Sequence, residues 1–568
     1  MSGEDQVLPK ALLRPPPLPG LAVRSDGSKP PAVTGELPDA AARKRLFTAL
    51  RDARVGGAFW GAPAHPTATP EAQSAGIVIR TNSPEEGAAL RADYSRKSSL
   101  VFVRQDDDGD VDPWSILPGS GKLVAHGDDE WVALATVIGK PVQVLSPGGF
   151  GAPEDGLEQL SNRALSALCK PMRDPFSEGW LSPEAAIALL ADWRRVIDHN
   201  RGAKGERLVA ACGISWWKRR EINNFLWSPG AKLRIFRSAS RALSAARAED
   251  GALAVWPSRI SPDLISKAKK RGVKLVRVED GFVRSVGLGT NLVPPLSVIV
   301  DRRGIHFDPS EPSDLEHILA NETFTSSLIE RAARLRETIV ANGISKYSRA
   351  LDRRQPSLTR HARERRVVLV PGQVEDDMSV LAGGGGITSN LELLRRVRVL
   401  EIDSEIWWRP HPDVDAGHRK GFVPDSDALR HADRIVRDES MAELLEAVDG
   451  VHVLTSLAGF EALLRGRDVT CHGTPFYAGW GLTRDLGTVP NRRGRPLSLD
   501  ELVAGVLVLY PRYLDPVTGL PCPPEILVQR MARGETPNRL AWIEPIRRAQ
   551  GRFMSQLAPS RRKRNDIR

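Results

Sequence analysis

Cysteine is scarce in this chain: Cys169, Cys212, Cys471 and Cys522 are the four thiols among 568 residues, and no two of them form a CxxC pair. Their scatter excludes a disulfide framework and offers no zinc-site spacing, so they read as reduced and structural. No stretch of about 18 consecutive apolar residues occurs, which excludes a membrane-spanning helix. The opening Met1-Ser2-Gly3-Glu4-Asp5-Gln6 lacks the basic stretch and apolar core of a secretory leader, and the expectation is a cytosolic protein.

What the chain does have is material for several cores. It is 41% apolar and 26% charged, a globular and multidomain composition. Its net charge of +10 favours anionic partners: phospholipid headgroups, a sugar nucleotide, an acidic glycan or nucleic acid. The densest basic block, Arg561-Arg562-Lys563-Arg564, reads as a solvated tail first and as an attraction to anionic lipid second. No aromatic and glycine residues are interleaved near it in the manner of RNA-binding motifs, so no nucleic-acid partner is expected.

Residues 1–45 carry Arg14-Pro15-Pro16-Pro17-Leu18-Pro19 and Ser28-Lys29-Pro30-Pro31, a composition that predicts a disordered arm. From about residue 205, short apolar runs alternate with Ala/Leu/Arg-rich helical stretches, which predicts βα units and parallel sheets. Strands are expected at 251–256, 273–278, 296–300, 366–370 and 451–454, and helices at 313–320, 325–342, 388–399 and 456–465. The polar stretch 352–365 reads as a hinge between two α/β halves, 205–350 and 365–545, with 546–568 as a basic tail. The alternation alone fits many enzymes.

Residues 46–200 read as a repeat of this material. Asp174-Pro175 precedes Pro183-Glu184 as Asp515-Pro516 precedes Pro524-Glu525, and Gly139-Lys140-Pro141-Val142 parallels Gly466-Arg467-Asp468-Val469. Trp60 and Gly76 are matched to Trp256 and Gly272, which sets Ser83-Pro84-Glu85 opposite Glu279-Asp280-Gly281. On that register the first copy is truncated in its middle and lacks the chemistry of the second. It is expected to serve in packing or docking.

Four motifs close expected strands. Glu279-Asp280-Gly281-Phe282-Val283-Arg284 sets two carboxylates at the sheet edge where open α/β folds bind ligands, with Gly281 permitting a turn and Arg284 suited to a substrate carboxylate. Gly372-Gln373-Val374-Glu375-Asp376-Asp377 supplies further acids, read as catalytic in preference to metal-binding, with solvated loop acids as the plainer alternative. In Arg409-Pro410-His411-Pro412 the prolines hold the imidazole in a fixed direction, and His411 and Arg409 suit a departing phosphate. Leu454-Thr455-Ser456 is a strand end and hydroxyl cap before a helix, a phosphate site without the Gly-Lys-Ser/Thr ending of a P-loop, and Glu461 one turn on suits ribose hydroxyls. The Glu-Asp-Gly and His-Pro pair suits moving a sugar from a nucleotide carrier.

Taken together with Pro475-Phe476-Tyr477-Ala478-Gly479-Trp480-Gly481, these strings resemble the capsule-assembly β-Kdo transferases of the KpsC and KpsS type. The resemblance implies a GT-B pair of Rossmann-type domains facing a cleft, preceded here by the truncated, degenerate copy. It implies retaining transfer of Kdo from CMP-Kdo to a lipid-linked, phosphatidylglycerol-type Kdo acceptor at the inner face of the inner membrane. It implies no cofactor and no metal. By it, Glu279 and Asp280 act in proton transfer, Asp377 or Asp376 is the nucleophile, and Arg284, Gln373, Arg409, His411, Thr455, Ser456 and Glu461 bind substrate. A cytoplasmic enzyme peripheral at the membrane, working beside a partner Kdo transferase, is the expectation. Another CMP-sugar transferase, sialyltransferase-like, and a non-catalytic export scaffold are the alternatives.

Overall fold

The computed structural model describes residues 11–21, 37–63, 76–94, 100–104, 111–202, 206–286, 293–345, 347–348, 365–417 and 419–537. The expected hinge, the basic tail and most of the Pro-rich arm lie outside these residues. The chain divides into two compact units, residues 1–203 with 226–232, and residues 204–225 with 233–568.

In the larger unit the uninterrupted apolar run Val367-Val368-Leu369-Val370 is wholly buried, as befits a central parallel strand covered on both faces. It lies in a six-stranded sheet of order 434–435, 405–409, 367–371, 450–453, 468–471, 484–485, parallel throughout. A second, seven-stranded sheet has the order 521–522, 511–514, 297–301, 275–280, 252–255, 208–212, 234–236. Its last four strands are parallel, whereas 297–301, 511–514 and 521–522 run antiparallel. The chain thus returns to its first sheet after completing the second, pairing Ser297 with Tyr513. This corrects the expected boundary, since 511–522 belongs with the 205–350 half. Two ion pairs anchor the return on the helix Ser326–Ala341: Arg331 with Glu525 at 2.6 Å and Arg336 with Asp500 at 2.7 Å.

The smaller unit holds a four-stranded parallel sheet of order 100–104, 77–81, 122–125, 142–144. Order and direction are those of 405–409, 367–371, 450–453 and 468–471 in the six-stranded sheet. The strand 275–280, to which Ile77–Thr81 was matched through Trp60 and Trp256, has instead one parallel and one antiparallel neighbour. The topological counterpart of the first unit is therefore the second half of the larger one. Tryptophan-to-glycine spacing spans loop and helix of variable length and does not fix strand register. Nor is all of the Pro-rich stretch an arm: Leu12, Leu13 and Leu18 are buried, Leu12 is hydrogen-bonded to Ala167 and Gly57, and Arg14 pairs with Glu130.

One buried polar group of the six-stranded sheet sets a pH dependence. His452 Nδ1 lies 3.1 Å from His472 Nε2, and its Nε2 lies 3.1 Å from Glu401. Burial, then the neighbouring His452 and arginine charges, push the His472 imidazole down to about 4. The unfolded chain therefore binds more protons than the folded one between pH 6.5 and 4. Stability is complete above 6.5 and falls on acidification through that window, by about 3 kcal/mol at full protonation. Melting of wild type and His472→Gln across pH 7 to 4 checks this: the variant should show the shallower decline.

Candidate functional site

Two sheet edges carry the site. At the first, the strand Leu275–Asp280 ends on the carboxylates and the chain passes close over the neighbouring strand, with Gly281 N–H donating to Ser297 O at 3.0 Å. A Cβ on Gly281 would stand 2.1 Å from Ser297 Oγ, so glycine is required by close approach and not by a left-handed turn. Asp280 is gripped from both sides, by Lys218 Nζ at 2.9 Å on Oδ1 and Arg284 Nε at 2.8 Å on Oδ2. Arg284 is 1% exposed and also donates to Val293 O at 3.2 Å, so its guanidinium orients Asp280 where a substrate carboxylate had been expected.

Lys218 escaped the sequence reading. It lies 62 positions before Asp280, on a turn whose aromatic and basic composition resembles any surface helix. Its ammonium sits 3.6 Å over the Trp256 ring, and burial lowers its pKa against the pull of Asp280. Two cations around one carboxylate hold it in a fixed direction.

At the second edge, Gly372 N–H donates to Arg409 O at 2.8 Å. A Cβ on Gly372 would meet Trp408 Cη2 at 2.8 Å and His411 N at 3.1 Å, so the two strand ends touch here. Gln373 reads Thr455 twice, donating from Nε2 to Oγ1 at 3.0 Å and accepting Thr455 N–H on Oε1 at 3.0 Å. Asn390 fixes Gln373 in turn, donating to its carbonyl and accepting its N–H. Ser456 caps the helix Leu457–Leu464 by accepting from Ala458 N–H, while Tyr477 O–H bonds the Ser456 carbonyl. His411 is partly exposed and caps the short helix Pro412–Asp415, its Nδ1 accepting from Asp413 N–H at 3.2 Å. That bond leaves the proton of the neutral ring on Nε2, a donor. Arg409, on the same strand end, is buried.

Asp377 joins this arrangement through Ser379, whose Oγ donates to Asp377 and accepts from Thr455 Oγ1 at 3.3 Å, while Asp376 stands outside it. Asp377 caps the helix Met378–Gly383, accepting from Ser379 N–H and Oγ, and Asp376 is exposed and paired with Arg419, which lowers its pKa. Glu461 is buried, one turn from Arg465. Among the described residues no group of three or more His, Cys, Asp and Glu side chains is placed to hold a metal.

An aromatic cluster joins the two edges. Phe282, next after Gly281, packs its ring 4.7 Å from Phe476 and 6.3 Å from Phe460 of the Ser456-capped helix, with His306 edge-on at 5.0 Å.

Comparison with known proteins places residues 251–513 under the family model "Capsule polysaccharide biosynthesis protein". The capsule polysaccharide modification protein LipA of Neisseria meningitidis serogroup A is 40% identical over 428 residues, 72% of this chain and 59% of LipA. The lipopolysaccharide-processing protein LpsZ of Rhizobium meliloti is 46% identical over 252 residues, 43% of this chain and 56% of LpsZ. This chain thus spans under two thirds of either curated relative. Among solved structures, a Thermosulfurimonas dismutans KpsC chain, described as a beta Kdo 2,7 transferase, is 34% identical, covering 58% of this chain and 99% of that one with a TM-score of 0.47.

Proposed function

Because this chain belongs, through residues 251–513, to the capsule polysaccharide biosynthesis family, we propose that it is a glycosyltransferase that moves Kdo from CMP-Kdo to a lipid-linked Kdo acceptor in capsule assembly. The observation that carries the reading is Asp280, a carboxylate held by Lys218 and Arg284 and coupled through Phe282 to the Ser456-capped helix start. Two α/β halves in one compact unit, with candidate site residues at strand ends in each, correspond to a GT-B arrangement.

The donor is β-configured, so a β-linked product retains configuration, and retention by double displacement needs a carboxylate nucleophile. Asp280 is taken as the nucleophile for its place at the strand end, with Asp377, linked to Thr455 through Ser379, as the alternative. In the first step an Asp280 oxygen bonds the anomeric carbon of Kdo and the carbon–oxygen bond to CMP breaks, the electron pair leaving on the phosphate. In the second, the acceptor hydroxyl bonds that carbon, the bond to Asp280 breaks and Glu279 takes the hydroxyl proton. Phosphate charge is met by His411 Nε2–H, Arg409 and the helix start at Ser456.

A lipid-linked acceptor calls for a cytoplasmic enzyme peripheral at the inner membrane. The first unit has Gln105-Asp106-Asp107 after its strand 100–104, where the second half has Pro410-His411-Pro412. It is read as a copy without transfer chemistry, which leaves any further Kdo linkage to a partner transferase.

Incubation with CMP-Kdo and with CMP-sialic acid, on a synthetic Kdo-bearing lipid acceptor, tests the reading by NMR of the product. A β-Kdo linkage is expected from the first donor alone. Turnover of CMP-sialic acid alone would favour the sialyltransferase-like alternative, and inertness toward both would favour the export scaffold. His411→Ala should lower kcat by about 100-fold, the usual loss for one donor to a developing anion. An unchanged kcat would remove His411 from the leaving-group site.

A further inference from the structure

The segment that carries Lys218 has a second face. A single turn, Trp216–Lys218, runs directly into the helix Arg219–Phe225. Lys218, Glu221, Ile222 and Phe225 are buried. On the opposite side Trp216, Arg220 and Asn223 fall at i, i+4 and i+7 and are exposed, Trp216 to 58%. Arg219, half-buried, lies beside them.

Charge around this face is one-sided. Residues 213–225 carry Lys218, Arg219 and Arg220 and one acid, Glu221, which is buried. Exposed Arg237 follows the strand 234–236, which runs parallel to 208–212, so it stands at the edge from which the Trp216 turn departs. Exposed Arg259 is at that edge too, its Cβ 3.4 Å from where a Cβ on Gly213 would lie. An indole left in water beside cations matches the headgroup layer of a membrane, where the ring is half solvated and arginines meet phosphates.

We propose that Trp216, Arg219 and Arg220 seat the acceptor-side sheet edge on an anionic lipid surface, with the indole at headgroup depth. The inference deepens the proposed function, on which its use of a lipid-linked acceptor rests. Trp216 is two residues from Lys218, and Lys218 holds Asp280, so one short segment meets the lipid and positions the reactive carboxylate. An acidic sugar stacked on Trp216 is the rival occupant.

Co-sedimentation with vesicles of phosphatidylcholine, with and without phosphatidylglycerol, provides the test. Wild type should bind the phosphatidylglycerol vesicles and release in salt. Arg220→Gln should weaken binding about fivefold, and Trp216→Ala by at least as much. Binding should survive replacement of Arg561, Arg562, Lys563 and Arg564 by glutamine. Trp216→Ala should keep wild-type transfer to a water-soluble Kdo acceptor and lose transfer to the same acceptor lipid-linked in vesicles. The proposal fails if binding resides in the tail, if Trp216→Ala binds vesicles like wild type, or if that variant loses transfer to the soluble acceptor. Vesicle binding without any Kdo transfer by wild type would overturn the donor reading and leave this surface standing.

Discussion

Asp280→Asn should lower Kdo transfer by about 10⁴-fold or more, the scale on which enzymes lose a nucleophile. The amide keeps the volume of the carboxylate, so substrate shape is not what changes. It does leave Lys218 and Arg284, both nearly inaccessible, around a neutral group, and the fold will lose some stability with the activity. Assays are therefore run well below the melting temperature of the variant, with bound CMP-Kdo measured alongside. Retained donor binding with lost turnover supports a nucleophile. Near-wild-type turnover would end the assignment and return Asp377 to consideration.

Lys218 gives the same assignment an independent readout. Its ammonium is depressed below the usual lysine value by burial, so rising pH removes the charge that faces Asp280 earlier than for a solvated lysine. Turnover should decline on the alkaline side as that proton leaves. In Lys218→Arg the guanidinium does not titrate in the accessible range, and the alkaline decline should move up or vanish while activity at neutral pH persists. A lysine that merely filled space would give two superimposable pH profiles.

Strand ends and motifs were legible in the sequence because apolar runs and the residues after them are local signals. The strand expected at 366–370 is Val367–Pro371, and the helices expected at 313–320, 325–342 and 456–465 are Asp314–Asn321, Ser326–Ala341 and Leu457–Leu464. What escaped is non-local. Ser297 explains Gly281, Lys218 explains the aim of Asp280, and Tyr513 closes the sheet that Leu208 begins, yet nothing in the strings around them records those partners. The pairing of Arg284 with Asp280 was not legible for the same reason: an arginine four residues after an aspartate suits a substrate or a neighbour equally. The shared four-strand order of the two parallel sheets has its sequence trace in the glycine and Asp-Pro anchors. The register was not legible, because only hydrogen-bonded order shows that Ile77–Thr81 sits between two parallel neighbours as Val367–Pro371 does.

Arg493→Met should cost about 2–3 kcal/mol, since it removes one of the two cations on a buried carboxylate and the donor to two buried carbonyls. Arg493 is 2% exposed, with Nε 2.6 Å from Glu316 and Nη1 donating to the carbonyls of Pro475 at 2.6 Å and Ala478 at 3.2 Å. Glu316 also receives Arg492 at 2.6 Å and belongs to the capping box of the helix Asp314–Asn321. Removing Arg493 thus releases the turn 475–478, whose Phe476 packs on Phe282 and whose Tyr477 bonds the Ser456 carbonyl. The loosening should therefore reach both sheet edges at once. Hydrogen exchange should show lost protection at 475–481 and around Phe282 and Ser456, with the six-stranded sheet core less affected, and Kdo transfer should fall without substitution of any residue that touches substrate. Arg493→Lys, which keeps the charge but not the fork of donors, should fall between the two. A melting temperature and exchange pattern for Arg493→Met indistinguishable from wild type would show that Phe282 and the Ser456 cap are fixed by something other than this turn.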